Sequence, residues 1–325
     1  MSRLRVGQAG LGNWGRNLAR NFDDLADLTW LCDASEERQA EFADRYPNAQ
    51  VTGDFAELLA ADDVDAVVIA TPVPTHYPLA RAALEAGKHV FVEKPPAMQA
   101  SEMEELIGLA EAGGLVLMPG HLLLYHPAVQ TLKELVDDGE LGEVRVVYGN
   151  RQNLGVIRKD ENALWSLGVH DLSVILYLIQ EEIVAAAAHG HAFLTEGVED
   201  VVFCYLRFAS EKIAHMHLSW LDPHKMRRLT VVGSDKMAVF DDMELDHKIT
   251  VYDKAPEEPT DSYGEWRTRT GDTFSPRISN AEPLKLECQH FIRLVEEGWD
   301  GREMRDGLEV VRALELLTES LRDGR

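Results

Sequence analysis

The sequence predicts an α/β protein in which a doubly wound parallel sheet is followed by a mostly antiparallel sheet. Three observations carry this prediction. Apolar strands alternate with helical segments up to about residue 120, the first strand runs into a glycine-rich turn, and short turns separate successive strands after Gly139. A chain of 325 residues has room for two domains, which we place at 1–121 and 122–325, with the option that the last helices pack back on the first domain.

The first domain is predicted from its alternation of strands and helices. Its strands are expected at Arg5–Gln8, Thr29–Asp33, Gln50–Thr52, Asp65–Ala70, His89–Val92 and Leu115–Met118. Its helices are expected near Asn13–Asp23, Glu36–Tyr46, Asp54–Ala60, Tyr77–Ala86 and Ser101–Ala112. Strands spaced by helices pair in parallel, and ligands of such sheets bind beyond the carboxyl ends of the strands. The residues that follow each strand are therefore the candidates for a site.

The second domain shows a different pattern. Its strands are expected at Glu143–Asn153, Ile183–Phe193, Val198–Phe208, Ile213–Trp220, Arg228–Val232 and Met237–Phe240. Its helices are expected near Trp165–Ile179, Pro283–Glu297 and Asp306–Arg322, and the polar stretch Lys254–Asn280 is expected to be a long loop. These helices can cover only one face of a sheet of roughly five or six strands. The other face is expected to meet another subunit, in a homodimer or homotetramer.

Composition and charge narrow the range of functions. The formal net charge of −24 makes nucleic acid and anionic membranes poor partners. No apolar run approaches the roughly 20 residues of a membrane span, and a first strand that begins near residue 4 leaves no room for a signal peptide. Three well separated cysteines, Cys32, Cys204 and Cys288, indicate reduced core residues of a cytoplasmic protein. Many acids with few lysines favour a high-salt host, and an ordinary acidic enzyme is the alternative.

The first strand ends in the pattern Gly-x-Gly-x-x-Gly, formed by Gly10, Gly12 and Gly15. In a dinucleotide-binding Rossmann domain these glycines provide a tight turn, a close approach to the pyrophosphate and close packing of helix on strand. A helix follows at once, so the backbone N–H groups near Asn13 and Trp14 are expected to face the phosphates. Because a strand precedes this turn and a helix follows it, a turn that binds no ligand is the weaker interpretation.

An acid follows the second strand, about twenty residues after the glycines. The Asp33 carboxylate is expected to accept hydrogen bonds from the ribose hydroxyls of NAD, and it would repel the 2′-phosphate of NADP. The residues just after Asp33 include no arginine that would bind this phosphate, and the first arginine after it is Arg38. These residues favour NAD over NADP, although capping of the next helix by Asp33 or Ser35 is an alternative role.

The strand that begins at His89 runs into Glu93-Lys94-Pro95. A lysine at the carboxyl end of a parallel strand is expected beside the cofactor, where it can hold a substrate hydroxyl or help to take its proton. The proline stops the strand and helps to aim Lys94. Taken alone, this tripeptide would more often be a solvated turn.

Together these motifs resemble those of the glucose-fructose oxidoreductase / inositol 2-dehydrogenase family. The resemblance extends over nearly the whole chain and rests on the glycine turn, Ala70-Thr71-Pro72 with Thr75-His76, Glu93-Lys94-Pro95, Pro127-Ala128-Val129, Asp138–Gly142, Ser219-Trp220 and Glu282-Pro283-Leu284. It implies a Rossmann domain followed by an α/β domain with an open, mostly antiparallel sheet, a nicotinamide cofactor and a sugar or cyclitol substrate. Thr71, Pro72, His76 and Glu93 lie in the matching motifs at strand ends and are expected to contact the cofactor.

The resemblance also implies that the lysine matching Lys94 and a histidine flank the reacting carbinol. His170 matches that histidine, and histidine is a residue type that suits a general base. Family members often carry Asp-x-Gly-x-His, whereas this chain has Ser166 in place of the aspartate and Asp171 after the histidine. Asp171 is therefore a candidate partner of the histidine and a candidate substrate-binding residue, and a helix-start histidine without catalytic function is the alternative.

A polar run before His170 resembles a subgroup of the family that includes UDP-N-acetylglucosamine 3-dehydrogenases. Arg151 and Arg158 are candidates to bind a diphosphate, and Asn153 and Asn162 are candidates to bind sugar hydroxyls or the acetamido group. Tyr125 is expected to line the same pocket. The alternative is a surface loop with solvated charges.

The sequence therefore predicts an NAD-dependent dehydrogenase that acts on a secondary sugar hydroxyl, the 3-hydroxyl of a UDP-N-acetylhexosamine being the first candidate. An inositol or simple-sugar dehydrogenase is the alternative within this class, and an NAD-binding redox sensor without turnover is the alternative outside it. Two His-x-His pairs, His189/His191 and His215/His217, are compatible with zinc but have no accompanying acid or cysteine. No metal is expected.

Overall fold

The structure is a computed structural model that describes residues 3–159, 161–258 and 265–324. The chain forms two units: Met1–Tyr125 with Ala281–Arg312, and His126–Asn280 with Ala313–Arg325. One sheet has six strands and the other has eight. The predicted fold class, a parallel α/β domain followed by a mostly antiparallel sheet, is confirmed.

The first unit contains a parallel sheet with strand order β3-β2-β1-β4-β5-β6. Its strands are β1 (Arg5–Ala9), β2 (Asp27–Cys32), β3 (Gln50–Thr52), β4 (Ala66–Ile69), β5 (His89–Glu93) and β6 (Leu117–Gly120). Its helices are α1 (Asn13–Leu25), α2 (Glu36–Arg45), α3 (Phe55–Ala60), α4 (His76–Glu85) and α5 (Ala100–Gly113). The strand order reverses between β1 and β4, where doubly wound sheets bind their ligands.

The second unit contains the eight-stranded sheet, ordered β14-β13-β12-β11-β7-β10-β9-β8. Its strands are β7 (Val144–Gln152), β8 (Ile183–His191), β9 (Val201–Phe208), β10 (Ile213–Ser219), β11 (Met226–Gly233), β12 (Met237–Asp241), β13 (Ile249–Glu257) and β14 (Arg267–Phe274). Its helices include α6 (Pro127–Asp137) and α7 (Val169–Ile179), the latter preceded by a π-helical turn over Leu164–Gly168. Neighbouring strands pair antiparallel except β7 with β10.

The prediction of a long loop over Lys254–Asn280 is wrong. β13 extends to Glu257, and β14 covers Arg267–Phe274 within the same stretch, while residues 259–264 lie outside the described part of the chain. β14 is the edge strand and is exposed at almost every position, so it shows no apolar alternation. Its backbone pairing with β13 holds it in the sheet. The sheet therefore has more strands than expected, and α6 was not predicted.

The chain closes with α8 (Pro283–Glu297) and α9 (Arg302–Asp323). α8 belongs to the first unit and packs on α1. Three aromatic rings meet edge to face there: Phe22 lies 6.0 Å from Phe91 and 6.2 Å from Phe291, and Phe91 lies 5.7 Å from Phe291. Because all three are fully buried, they join α1, β5 and α8 into one apolar core.

Candidate active site

The glycine turn after β1 requires glycine at two of its positions. Gly10 has φ +93°, and a Cβ there would lie 2.4 Å from the carbonyl oxygen of Ala70. A Cβ at Gly15 would lie 2.1 Å from the carbonyl oxygen of Gly10. Gln8, which the sequence analysis did not single out, donates from Nε2 to the carbonyls of Gly10 (3.0 Å) and Gly15 (2.8 Å). A buried polar residue in an apolar strand was the signal that could have found it.

The second glycine of the motif, Gly12, leaves space at the start of α1. Gly12 is the N-cap and makes no side-chain capping bond, and the first turn of α1 contains no acid. A Cβ on Gly12 would approach no protein atom closer than Arg38 Nη1, at 3.9 Å. Among the described residues, no side chain caps the first N–H groups of α1, including those of Asn13 and Trp14, which lie in a region of positive helix dipole. This donor set and space fit a pyrophosphate.

Asp33 follows β2 and is bound to the glycine turn. Its Oδ2 accepts from the N–H of Leu11 at 2.7 Å, and its Oδ1 accepts from the N–H of Ser35 at 2.9 Å. Arg38 Nη1 lies 3.4 Å from Oδ2. Ser35, and not Asp33, caps α2, because its hydroxyl accepts from the N–H of Arg38. The carboxylate is thus placed at the end of β2, where a ribose is expected.

Thr71, Pro72 and His76 follow β4, and the His76 ring points into the protein. Its Nδ1 lies 2.8 Å from the carbonyl oxygen of Pro95, and its Nε2 lies 2.8 Å from that of Thr71. Burial lowers the pKa of His76, so the neutral ring can donate through only one nitrogen at a time. The Thr71 hydroxyl accepts from Thr75 at 2.7 Å. The observed contacts of His76 therefore connect two loops of the first unit.

Glu93 connects the glycine turn to Lys94. Its Oε1 accepts from Trp14 Nε1 at 2.5 Å, and its Oε2 accepts from the backbone N–H of Lys94 at 3.3 Å. Burial raises the pKa of Glu93 to about 7, against the lowering effects of Trp14 and Lys94. Lys94 itself is half-buried. The structure thus brings every predicted cofactor residue of the first unit, and Lys94, to the strand ends or the start of α1.

In the second unit, His170 and Asp171 begin α7 and differ in their surroundings. His170 is half-buried, and its carbonyl accepts from Ser173 Oγ at 2.8 Å. Asp171 is buried, and its Oδ1 accepts from Arg151 Nε at 2.8 Å and Nη2 at 2.6 Å. A Cβ on Gly149 would lie 2.8 Å from Asp171 Oδ2, so β7 lies directly under this carboxylate. The two predicted substrate residues Arg151 and Asp171 are therefore partners of each other.

The remaining candidate substrate residues also have partners within their own units. Asn162 Oδ1 accepts from the N–H of Trp165 at 3.1 Å, and its Nδ2 donates to Glu199 at 2.6 Å. Arg158 lies 2.8 Å from Glu161 and has 49% of its side chain exposed. The Asn153 backbone N–H donates to Ser219 at 3.0 Å. In the first unit, the ring of Tyr125 lies 5.2 Å from that of His290.

Residues 3–159, 161–258 and 265–324 contain neither a membrane-spanning helix nor a cluster of metal ligands. None of the helices there combines the length and the apolar character that crossing a membrane requires. In the same ranges, no three His, Cys, Asp or Glu side chains are grouped to hold a metal ion. The histidines of the second His-x-His pair instead stack on aromatic rings. His215 stacks on Tyr148 with 4.9 Å between ring centroids, and His217 stacks on Phe203 with 4.3 Å between ring centroids.

Comparisons with known proteins agree with this arrangement. Residues 4–121 match the oxidoreductase family with an NAD-binding Rossmann fold, and residues 129–239 match the GFO/IDH/MocA C-terminal domain. The chain is 31% identical over 242 residues to UDP-N-acetylglucosamine 3-dehydrogenase from Acidithiobacillus ferrooxidans, which covers 74% of this chain and 75% of that protein. Inositol 2-dehydrogenase from Rhodococcus erythropolis is 32% identical, over 61% of this chain and 60% of its own.

Solved structures extend the similarity over the whole chain. The structure of UDP-N-acetylglucosamine 3-dehydrogenase from Acidithiobacillus ferrooxidans has a TM-score of 0.84 at 26% identity and covers 100% of this chain and 99% of its own. A protein of gentamicin A biosynthesis in complex with NAD has a TM-score of 0.83 at 26% identity, over 100% and 96% of the two chains. The chain belongs to the GFO/IDH/MocA family of oxidoreductases. Its first unit is the NAD-binding Rossmann domain, as predicted.

Replacing Gly15 with alanine should destabilise the protein, because the new methyl group would overlap the Gly10 carbonyl. We expect a loss of about 1–3 kcal/mol in the free energy of unfolding. Gly108→Ala is the matched control: it lies in α5, its Cβ would meet nothing within 4 Å, and alanine favours a helix. Denaturant unfolding of both variants measures the difference. Equal stability of the two variants would contradict the close approach of α1 to the turn.

Breaking the Arg151–Asp171 pair from either side should be costly. Arg151→Met or Asp171→Leu leaves one buried charge without its partner, and each should lower the free energy of unfolding by about 3–5 kcal/mol. The double variant should lose much less than the sum of the two single losses. Denaturant unfolding of the parent and all three variants gives a double-mutant cycle. Additive losses of unfolding free energy would show that Arg151 and Asp171 are not coupled.

Proposed function

We propose that this oxidoreductase oxidises a secondary hydroxyl of a sugar with NAD, and that its first candidate substrate is a UDP-N-acetylhexosamine oxidised at the 3-hydroxyl. The observation that carries the proposal is the position of Lys94. This residue follows β5 and is connected through Glu93 to a glycine turn that fits a pyrophosphate. The similarity to UDP-N-acetylglucosamine 3-dehydrogenase supports the choice of substrate.

In the proposed reaction the alcohol loses the proton of its hydroxyl group and a hydride from its carbinol carbon. The Lys94 ammonium donates a hydrogen bond to the hydroxyl oxygen and stabilises the negative charge that develops there. His170 takes the hydroxyl proton as general base. NAD, when bound, accepts the hydride from the carbinol carbon. Gly10, Gly12, Asn13, Trp14, Gly15 and Asp33 bind the cofactor in this proposal, with Thr71, Pro72, His76 and Glu93 shaping the adjoining strand ends.

Substrate binding is proposed for the polar residues near His170. Arg158 is the more exposed of the two arginines and is proposed to bind the diphosphate, while Asn153 and Asn162 bind the sugar. Arg151 is engaged with Asp171, so its contribution is proposed to act through the start of α7. We propose that Tyr125 lines the same pocket.

An inositol or simple-sugar dehydrogenase is the second candidate, favoured by the similarity to inositol 2-dehydrogenase. An NAD-binding redox sensor is the third, but a sensor would need neither Lys94 nor His170. Incubating the protein with NAD and a panel of UDP-sugars, myo-inositol and free sugars distinguishes the three, because only turnover produces the absorbance of reduced nicotinamide.

We also propose a cytoplasmic location, in keeping with the free, buried cysteines Cys32, Cys204 and Cys288.

A second copy of this chain is the proposed partner of the second unit's sheet. On one face of β7, β9 and β10, Tyr148 stacks on His215 and Phe203 stacks on His217, with Phe203 52% exposed. These rings carry no negative charge, although the chain has a net charge of −24. An uncharged aromatic face on a strongly acidic protein is suited to pairing with its own copy in a homodimer or homotetramer.

Lys94→Ala and His170→Ala should each lower turnover by two or more orders of magnitude, because each removes a group proposed to act on the hydroxyl. NAD affinity should stay within about threefold of the parent value, corresponding to less than about 0.7 kcal/mol. Lys225→Ala, at an exposed position, is the control and should leave turnover unchanged. Steady-state kinetics and NAD titration measure both quantities. Near-normal turnover in both site variants would remove the proposed roles.

Phe203→Glu should dissociate the oligomer, because it places a charge in the aromatic face. The matched control is Leu245→Glu, since Leu245 is 87% exposed and lies outside that face. Light scattering after size-exclusion chromatography gives the mass of each variant. A parent protein that is already monomeric, or a Phe203→Glu oligomer of unchanged mass, would reject this surface.

A further inference from the structure

The first unit buries two glutamates that the proposed reaction does not use as acid or base. Glu93 ends β5 and is 8% exposed, whereas Glu287 lies on the inner face of α8 and is 0% exposed. α8 packs against α1, whose first turn carries Trp14. Burying an ionised carboxylate is strongly unfavourable unless donors or opposite charges compensate it.

The two carboxyl groups differ in the donors available to them. Both oxygens of Glu93 accept hydrogen bonds, one from the Trp14 indole and one from the N–H of Lys94. Among the described residues, neither Oε1 nor Oε2 of Glu287 has a hydrogen-bond partner. The other buried residues of α8 are Leu284, Cys288 and Phe291. Glu93 thus has the contacts that stabilise a negative charge, and Glu287 does not.

The charge of Glu93 also acts on Glu287. Burial, and then the negative charge of Glu93, raise the pKa of Glu287 well above its ordinary value. Two carboxylates that share a buried region cannot both be ionised at low cost, so a proton is retained on one of them. The missing donors assign that proton to Glu287.

The surrounding groups leave this assignment unchanged. Lys94 is the positive charge that acts on Glu93. Burial, and then the charge of Lys94, lower the pKa of His121 to about 4, so this histidine is neutral near pH 7. Burial raises the pKa of the Cys288 thiol, which is neutral as well. The charges with the smallest effects on the pKa of Cys288, those of Glu282 and Arg20, are paired with each other.

We propose that Glu287 remains protonated in the folded protein at mildly alkaline pH, and that it thereby leaves Glu93 as the single carboxylate that holds Trp14 and the backbone of Lys94. Glu287 is a positioning residue in this account, because it acts only through Glu93. An ionised Glu287 would repel Glu93 and draw a proton onto it. That proton would weaken the two acceptor contacts that connect the glycine turn to Lys94.

Infrared spectroscopy of the protein without cofactor tests the proton directly. At about pH 9, aspartates and glutamates of ordinary pKa, near 4, are fully ionised. The parent protein should still show the carbonyl stretch of a protonated carboxylic acid, and Glu287→Gln should lose it. Glu296→Gln, at an exposed position on the same helix, should keep it. A parent protein without this band would overturn the proposal, and this outcome does not depend on whether any variant folds.

The pH dependence of unfolding provides the second measurement. The pKa of Glu287 is raised on folding, so its favourable contribution is complete below its unfolded pKa and is lost as pH rises toward its folded pKa. Relative to Glu287→Gln, the unfolding equilibrium constant of the parent should therefore increase about tenfold per pH unit across this window. Glu296→Gln should follow the parent. Parallel curves for the parent and Glu287→Gln would reject the proposal whether or not sugar oxidation is observed.

Discussion

A single buried carboxylate, that of Glu93, connects the two parts of the first unit that the proposed chemistry needs. One oxygen accepts from Trp14, immediately after Gly12 and Asn13 in the dinucleotide turn, and the other accepts from the N–H of Lys94. One side chain therefore contacts both the start of α1 and the backbone of the lysine. His76 adds a second connection, between the carbonyls of Pro95 and Thr71. Both contacts position the loops that follow β4 and β5.

These connections use groups whose burial is unfavourable in itself. Burial raises the pKa of Glu93 and lowers that of His76, so the fold holds each against its preference for water. The second unit shows the same feature in Arg151 and Asp171, a buried ion pair at the start of the helix that carries His170. Buried polar groups of this kind add little net stability, but removing one partner is costly.

Much of the first unit could be predicted because its signals are local. The glycine spacing, the continuous apolar strands and the acid after β2 each reflect a constraint that acts over a few residues. The end of the second sheet could not be predicted in this way, because β14 is held by backbone pairing with β13 and has no apolar face. The polar run before His170 was identified, but its contacts were not: nothing in the spacing shows that Arg151 meets Asp171 or that Asn162 meets Glu199. Glu287 was missed because a lone acid on an amphipathic helix resembles an exposed one until the packing of α8 is known.

Titration of NAD into Glu93→Gln by calorimetry tests the central claim most directly. The glutamine keeps the size of the side chain but replaces the carboxylate that accepts from both Trp14 and Lys94. The account predicts a folded variant whose NAD affinity is weaker by about tenfold or more, equivalent to about 1.4 kcal/mol, the scale of one hydrogen bond to a charged group. A folded variant that binds NAD with the parent affinity would show that this carboxylate does not organise the dinucleotide site.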